Sequence, residues 1–183
     1  MENGAVRNNT AVSVLIRKLL CAVRGLCSRR EQAAPPRPAS KGDETNMKTL
    51  ELEATNGNLS RVNEFVDGFL EEYGCPMRAQ MLIDLCVEEI FVNIANYAYG
   101  EETGTATIRI AEENGVFTLV FEDAGIPYDP LKKADPDVTL SAEDRQIGGL
   151  GIFLVKKNMD TVSYRRENGR NVLTMTKSVA PGA

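Results

Sequence analysis

The sequence predicts an α+β fold, a two-layer sandwich in which helices cover a mixed, largely antiparallel sheet. Segments whose apolar residues recur at helical spacing come early, whereas segments of alternating polarity come later. Both late pairs of alternating segments flank an Asn-containing turn, which is typical of β-hairpins. Helices followed by hairpins indicate separate helix and sheet layers.

The individual elements follow from local signals along the chain. Residues 48–54 alternate like a strand, with Leu50 and Leu52 on one face. Asn58 or Ser60 is a candidate cap for a helix that runs to about Tyr73, where Gly-Cys-Pro ends it. The remaining predictions are a helix at 77–98, strands at 105–112 and 115–122 joined by Glu113-Asn114, a loop at 123–149, a helix at 150–159, and a last hairpin of strands 162–166 and 171–177 around Asn168-Gly169.

Residues 1–46 differ in composition from the rest of the chain. They carry eight basic and four acidic side chains, a net charge of +4. The pattern predicts a basic amphipathic helix at 11–26 and a Pro-rich linker at 33–46. Three interpretations of this segment are open: a membrane-surface or partner-binding helix, a disordered extension, or the product of an upstream start codon called in error. The last is suggested by Met47, which opens the domain cleanly. We expect one domain at 47–179 and a short tail at 180–183.

Composition excludes several classes of function. Residues 47–183 carry thirteen basic and twenty-two acidic side chains, a net charge of −9, which argues against direct nucleic-acid binding. The chain has no histidine, so a Ser-His-Asp triad, a His-ligated zinc and a histidine phosphoacceptor are excluded. The four cysteines lack metal-binding spacing, and no apolar run is long enough to span a membrane. We therefore expect a cytoplasmic protein with reduced thiols.

The most informative segment is the predicted helix around residues 87–99, which is apolar except for one polar stripe. At about 100° per residue, Asn93 and Asn96 lie within about 40° of Glu89. Burying a carboxylate and two amides without partners is unfavourable, so these groups need partners. A hydrated Mg²⁺ with phosphate oxygens is one candidate, with Asn93 as ligand and Glu89 accepting a proton from a hydroxyl. The alternative is a stripe that faces solvent or caps a loop.

Two glycine-containing turns are further candidates. Asp123 ends an apolar strand, where its carboxylate can accept a hydrogen bond from an exocyclic amine, and Gly125 leaves room for a flat ring. Gly149 and Gly151 open a predicted helix, whose N-terminal N–H groups favour phosphate. Neither turn is a P-loop. Each pattern alone is also common as an ordinary turn or helix entry.

A polar loop at 131–146 separates these two turns. A loop of this length in a compact domain is often functional, so a lid over phosphates is one interpretation. The other is a solvated charged loop. Of its cations Lys132, Lys133 and Arg145, we expect Arg145 to contact a phosphate.

In order and spacing, the three segments resemble the GHKL nucleotide site shared by histidine kinases, gyrase, MutL and the heat-shock ninety chaperones. The closer similarity is to the anti-sigma-factor serine kinases, whose helix carries Glu-x-x-x-Asn-x-x-Asn-His-Ala-Tyr. Residues 89–99 match this pattern, with Tyr97 in place of the histidine. Residues 123–130 resemble the family's Asp-x-Gly-x-Pro-Phe-Asp-Pro, with Tyr128 for the phenylalanine, and residues 149–152 resemble its Gly-x-Gly-Leu helix entry. The resemblance covers about residues 47–177.

The resemblance implies roles for individual residues. Glu89 would be the general base and Asn93 the Mg²⁺ ligand, with Asn96 on the same stripe. Glu88 is a neighbouring acid, but the four-residue step to Asn93 favours Glu89. The nucleotide contacts implied are Asp123 with the adenine amine, Gly125 beside the base, Arg145, Gly149, Leu150 and Gly151 at the phosphates, and Thr174 near adenine in the last hairpin.

The resemblance also implies an activity and partners. It indicates a kinase that uses ATP and Mg²⁺, phosphorylates a serine or threonine of a STAS-type anti-anti-sigma protein, sequesters a sigma factor and forms a homodimer. The lack of histidine, of phosphotransfer helices and of a transducer domain disfavours a complete histidine kinase, gyrase or MutL. The alternatives are a nucleotide-gated binding module without phosphotransfer and a plain α+β domain.

Overall fold

Three helices pack on one face of a five-stranded antiparallel sheet in the part of the chain described by the computed structural model, residues 47–132 and 150–179. This arrangement confirms the predicted α+β sandwich. Arg145, Gly149, the basic segment 1–46 and the tail 180–183 lie outside the described residues. In chain order the elements are β1 (Lys48–Glu53), α1 (Leu59–Glu72), α2 (Met77–Tyr97), β2 (Thr105–Glu113), β3 (Val116–Asp123), α3 (Leu150–Asn158), β4 (Thr161–Glu167) and β5 (Arg170–Ser178), with 3-10 turns at Asn56–Asn58 and Pro130–Lys132.

The strand order is β1-β2-β3-β5-β4, and each pairing within the described residues is antiparallel. The central strand β3 therefore has a neighbour on each side. Asp123, its last residue, lies opposite Ala106 of β2 and Asn171 of β5. Because side chains alternate between the two faces of a sheet, this register also decides which side chains of β5 share a face with Asp123.

Both hairpins close through two-residue turns of Asn followed by Gly. Asn114-Gly115 joins β2 to β3, Asn168-Gly169 joins β4 to β5, and all four residues have φ between 50° and 79°. Asn and Gly tolerate this left-handed conformation, which two-residue hairpin turns require. Glu113 is instead the last residue of β2, so the predicted turn at Glu113-Asn114 is wrong by one residue.

The hydrophobic core lies between the helices and one sheet face. Helix α2 contacts both α1 and α3, so it forms the centre of the helical layer. None of the helices in residues 47–132 and 150–179 is long and apolar enough to cross a membrane. The core includes Val62, Val66, Phe69 and Leu70 of α1, Ile83, Cys86, Val87, Ile90, Phe91 and Ile94 of α2, Val155 of α3, and Ile108, Ile110, Leu119, Phe121, Leu173 and Met175 of the sheet.

Two carboxyl groups meet at the interface between α1 and α2. Burial, followed by the nearby Asp67 and Glu88, raises the pKa of Asp84 to about 7. Gln80 donates a hydrogen bond to Asp67 Oδ1 at 3.1 Å. Asp84 Oδ1 is buried and has no hydrogen-bond partner among the residues described. Asp84 is therefore protonated over a range of pH in which an ordinary aspartate is charged.

Asp84→Asn should stabilise the domain at pH 8 by about 1–2 kcal/mol. Because the pKa of Asp84 is raised from 3.8 to about 7, its stabilising contribution is fully present below pH 3.8 and is lost as the pH rises to about 7. The amide keeps the shape without titrating, and the expected gain is below that of the full shift because solvent screens this partly exposed pair. Urea unfolding at pH 5 and pH 8 measures the difference.

Glu64→Gln is the matched control, since it removes the same charge from an exposed position of α1. It should change stability by less than about 0.5 kcal/mol at either pH. An Asp84→Asn variant that follows the wild-type loss of stability between the two pH values would contradict the prediction.

Candidate functional site

The polar stripe of α2 runs from the N-terminus of α3 to the 3-10 turn before α1. Glu89 is half-buried, and its Oε2 occupies the space that a Cβ on Gly151 would need. Asn93 is half-buried one turn further along, and Asn96 accepts a hydrogen bond from Asn56 Nδ2 at 2.8 Å. Neither Glu89 nor Asn93 has a hydrogen-bond partner within the described residues. These two partly buried polar groups therefore have capacity for a ligand.

The two adjacent acids of α2 point to different neighbours. Asn63 of α1 donates a hydrogen bond to Glu88 Oε1 at 2.9 Å, whereas Glu89 reaches the first turn of α3. Burial, followed by the charge of Glu88, raises the pKa of Glu89. Glu88 is thus engaged in the helix–helix interface, and Glu89 is the acid that faces α3.

The N-terminus of α3 adjoins the carboxylate of Glu89. Leu150 and Gly151 occupy its first turn, where backbone N–H groups lack partners within the helix. Such N–H groups, together with the helix dipole, favour an anion. The absence of a side chain at Gly151 is what allows this helix end and Glu89 to approach each other.

Asp123 occupies the opposite end of the site. Its side chain is buried at the end of β3, with an exposed fraction of 6%. Oδ1 accepts hydrogen bonds from the Gly125 N–H at 2.9 Å and from Asn171 Nδ2 at 2.8 Å. Within the described residues Oδ2 accepts none, so one carboxylate oxygen is held while the other can accept a hydrogen bond from a ligand.

Gly125 packs directly on the C-terminal end of α2. A Cβ at Gly125 would collide with the Ala98 carbonyl oxygen and lie 2.7 Å from the Ala98 carbonyl carbon. The next residue, Ile126, donates its N–H to the same carbonyl oxygen at 2.8 Å. The loop after Asp123 is therefore fixed against α2 at a distance that only glycine permits.

Asn171 is the site residue that the sequence reasoning missed. It is 7% exposed, and its Nδ2 donates to Asp123 Oδ1 and, at 2.9 Å, to the Ile126 carbonyl. Its Oδ1 accepts from Tyr164 Oη and from Arg166 Nη1, each at 2.8 Å. A buried amide whose donor and acceptor are both engaged orients its neighbours rigidly. The Asn168-Gly169 turn fixes the register of β5 against β4, but no local signal in the sequence fixes the register of β5 against β3.

Thr174 lies on the other face of the sheet from Asp123. It pairs with Val120 of β3 and Ser163 of β4, and it is three residues from Asn171 along β5. Since successive side chains alternate between faces, an odd separation from Asn171 directs Thr174 away from the helices. Its register therefore does not bring it to the carboxylate of Asp123, and its expected place near adenine stays a prediction.

The oxygen atoms present suit a cation that is coordinated partly by the protein and partly by phosphate. No cluster of three or more Asp, Glu, Cys or His side chains placed to hold a metal occurs in residues 47–132 and 150–179. Mg²⁺ usually keeps several waters and takes few protein ligands together with substrate phosphates. The unpartnered amide oxygen of Asn93 fits such a role, so the residues are compatible with Mg²⁺ bound with phosphate.

The two ends of the site are separated by about 14 Å along α2, the rise of nine helical residues from Glu89 to Ala98. One end offers a helix N-terminus, which suits anionic groups, and the other offers Asp123 beside the bare backbone of Gly125. The arrangement fits an elongated ligand with phosphates at one end and a flat, amine-bearing ring at the other.

Residues 52–177 match the family of histidine kinase-like ATPase domains. The chain belongs to this family, and the family predicted from its motifs is thereby confirmed. The match spans both ends of the site, from the strand before α1 to the end of β5.

Two similar proteins are named as protein kinases. The chain is 28% identical over 134 residues to the serine/threonine-protein kinase BtrW of Bordetella bronchiseptica, which covers 73% of this chain and 94% of that protein. It is 29% identical over 136 residues to the serine-protein kinase RsbW of Listeria monocytogenes, covering 72% and 86% respectively. These similarities agree with the expected enzyme class of ATP-dependent protein kinase.

A solved structure shares the fold. The chain is similar to the structure of the RsbU and RsbW domains of Rv1364c from Mycobacterium tuberculosis, with a TM-score of 0.53 at 15% identity. The match covers 76% of this chain and 34% of that longer protein. At this identity the similarity supports the architecture alone.

Proposed function

We propose that this protein is a serine/threonine kinase that binds ATP with Mg²⁺ and phosphorylates a STAS-type anti-anti-sigma protein. The observation that carries the proposal is the half-buried carboxylate of Glu89 against the N-terminus of α3. A proton acceptor next to an anion-favouring helix end is suited to the transfer of a phosphoryl group to a hydroxyl, which depends on positioning and charge stabilisation and is assisted by a base. The kinase relatives support the same reaction.

The α2–α3 end of the site would carry the chemistry. Glu89 would accept the proton of the attacking hydroxyl, and its raised pKa brings it closer to the range in which a base is effective. Asn93 would hold Mg²⁺, which neutralises charge on the phosphates when bound. Leu150 and Gly151, with Gly149 and Arg145 from the preceding segment, would bind phosphate.

The β3 end of the site would recognise adenine. Asp123 Oδ2 would accept a hydrogen bond from the exocyclic amine while Oδ1 stays bound to Gly125 and Asn171. Gly125 would let the ring lie against the backbone. In this proposal Asn171, rather than Thr174, is the residue of β5 that supports adenine recognition, because it shares a face with Asp123. Asn96 would line the site on the adenine side of Asn93.

The partners are proposed by similarity. BtrW is named a serine/threonine-protein kinase and RsbW a serine-protein kinase. The resemblance of the motifs to anti-sigma-factor kinases implies a sigma factor as a partner beside a STAS-type substrate. We propose that this chain also sequesters a sigma factor, and that it acts as a cytoplasmic homodimer.

Titration calorimetry of ATP with and without Mg²⁺ tests the nucleotide site. We expect wild type to bind ATP more tightly in the presence of Mg²⁺. Asn93→Ala should lose that gain, about tenfold in affinity, because the bound Mg²⁺ loses one of its few protein contacts. Asn158→Ala, about 10 Å further along α3 from Gly151, is the control and should bind like wild type. If wild type binds neither ATP nor ADP, the proposal fails.

A further inference from the structure

Tyr99 forms a bridge between two strands at the base of the site. Its hydroxyl donates a hydrogen bond to the Thr105 carbonyl at 2.6 Å and accepts one from the Ala124 N–H at 2.9 Å. Thr105 begins β2, and Ala124 directly follows β3. A side chain just after α2 therefore joins the start of one strand to the loop that leaves the other.

The bridge occupies the position of the next rung in the β2–β3 ladder. Asp123 pairs with Ala106, so continuing the register would place Ala124 opposite Thr105. The Tyr99 hydroxyl supplies both hydrogen bonds there, as donor to one strand and acceptor from the other. The phenol thus ends the direct pairing at Asp123 and fixes where the following loop turns away from the sheet.

The ring of Tyr99 has space for this only because residue 104 is glycine. A Cβ at Gly104 would collide with ring atoms Cδ1, Cε1 and Cζ of Tyr99. The ring is half-buried against this bare backbone, which restricts its rotation. Such a preorganised hydroxyl holds its two partners at lower entropic cost than a mobile side chain would.

The two residues that directly follow α2, Ala98 and Tyr99, hold three successive loop residues. Tyr99 Oη binds the N–H of Ala124, Gly125 packs on the Ala98 carbonyl, and that carbonyl accepts the N–H of Ile126. Since Asp123 directly precedes this stretch, the direction of its carboxylate depends on where Ala124 is held. Of the three contacts, the Tyr99 bridge is the one made by a side chain.

We propose that Tyr99 is a positioning residue for base selection: its hydroxyl fixes Ala124 and thereby aims the carboxylate of Asp123 at a purine 6-amino group. The inference rests on the proposed ATP site. If Tyr99 positions Asp123 in this way, the protein prefers ATP to a purine triphosphate without the 6-amino group because of the Tyr99 hydroxyl. The hydroxyl has this effect without touching the nucleotide. Tyr99→Phe isolates this effect, because it removes the hydroxyl while keeping the ring over Gly104.

The test compares the affinities of ATP and inosine triphosphate, which carries an oxygen in place of the 6-amino group. We expect Tyr99→Phe to lower the ratio of ATP to inosine triphosphate affinity about fivefold to tenfold, the effect of one well-placed hydrogen bond. Tyr73→Phe removes a hydroxyl from the end of α1, where the ring stacks on Phe69, and should leave the ratio unchanged. A purely structural role for Tyr99 would weaken both ligands equally or lower only the melting temperature.

Amide hydrogen exchange of the nucleotide-free protein tests the bridge separately. Exchange at Ala124 should be at least about tenfold faster in Tyr99→Phe than in Tyr73→Phe. If wild type prefers ATP and Tyr99→Phe keeps that preference, the inference about Tyr99 is overturned while the proposed function stands. Unchanged exchange at Ala124 overturns it as well. If wild type binds neither nucleotide, the proposed function itself fails, and base selection by Tyr99 fails with it.

Discussion

Glu89→Gln should lower phosphoryl transfer by about 10²–10⁴-fold and change the affinity for ATP by less than about threefold. The amide retains the size of the side chain but cannot accept the proton of the attacking hydroxyl. Glu89 is suited to that role because it reaches α3 and has no hydrogen-bond partner within the residues described. Transfer of labelled phosphate from ATP to STAS-domain proteins of the same organism, together with calorimetry, measures both quantities.

Two further variants sharpen this experiment. Glu88→Gln makes the same chemical change one residue away, at an acid bound to Asn63, and should keep most of the transfer rate. Gly151→Ala places a methyl group where Glu89 Oε2 lies. Because that oxygen is the end of a flexible side chain, the variant should fold normally but displace the carboxylate and lose transfer. A Glu88→Gln variant as impaired as Glu89→Gln would reject Glu89 as the base.

The rate should also depend on pH in a way that reports on Glu89. Burial raises the pKa of Glu89. As the pH is lowered, the wild-type rate should therefore begin to fall at a higher pH than it would with a glutamate of ordinary pKa as the base. The base is competent above its raised pKa and inactive below it. Glu89→Gln should lack this part of the profile, and a residual rate that keeps it would point to another base.

Gly125→Ala should destabilise the domain by about 1–3 kcal/mol and weaken ATP binding more than about tenfold. The new methyl group would collide with the Ala98 carbonyl, which is backbone at the end of α2 and cannot move aside as a side chain can. To avoid this collision the loop must move away from α2. That movement breaks the hydrogen bond from the Ile126 N–H to the Ala98 carbonyl and shifts the neighbouring Asp123. Thermal unfolding and ATP titration measure the two effects.

Gly68→Ala is the control for the added methyl group. Gly68 lies on α1, and apart from its two chain neighbours and the backbone of the helix itself, no atom of the described residues lies within 4 Å of the position that a Cβ would take there. Alanine should therefore be neutral or stabilising by up to about 1 kcal/mol. If Gly125→Ala unfolds at the wild-type temperature and binds ATP normally, the close approach of loop and helix does not constrain the site.

Local sequence signals were sufficient for nearly all of the fold. The alternating segments and the Asn-containing turns predicted both hairpins, because period-two polarity and turn-forming residues are properties of a few adjacent residues. The one error among the turns, Glu113-Asn114, arose because a turn can shift by one residue without disturbing either flanking pattern. The sequence predicted a mixed sheet, whereas the five described strands all pair antiparallel. This result depends on the strand order β1-β2-β3-β5-β4, which no local pattern contains.

The stripe of α2 was also predictable, since Glu89, Asn93 and Asn96 share a face in any α-helix. The difference between Glu88 and Glu89 was only suggested by spacing. It depends on which helix packs on each side, with Asn63 of α1 against one acid and Gly151 of α3 against the other.

Element order, apolar faces and family could all be derived from the amino-acid sequence, because they follow from local periodicity and from motifs whose residues are close together in the chain. Which distant side chains meet could be seen only in the folded domain. The register of β5 brings Asn171, rather than Thr174, to Asp123, 48 residues away in sequence. The packing of α2 brings Tyr99 to Ala124. The first contact depends on which side chains alternate onto the same face of the sheet, and the second depends on the fit of a loop against a helix end. A linear pattern encodes neither.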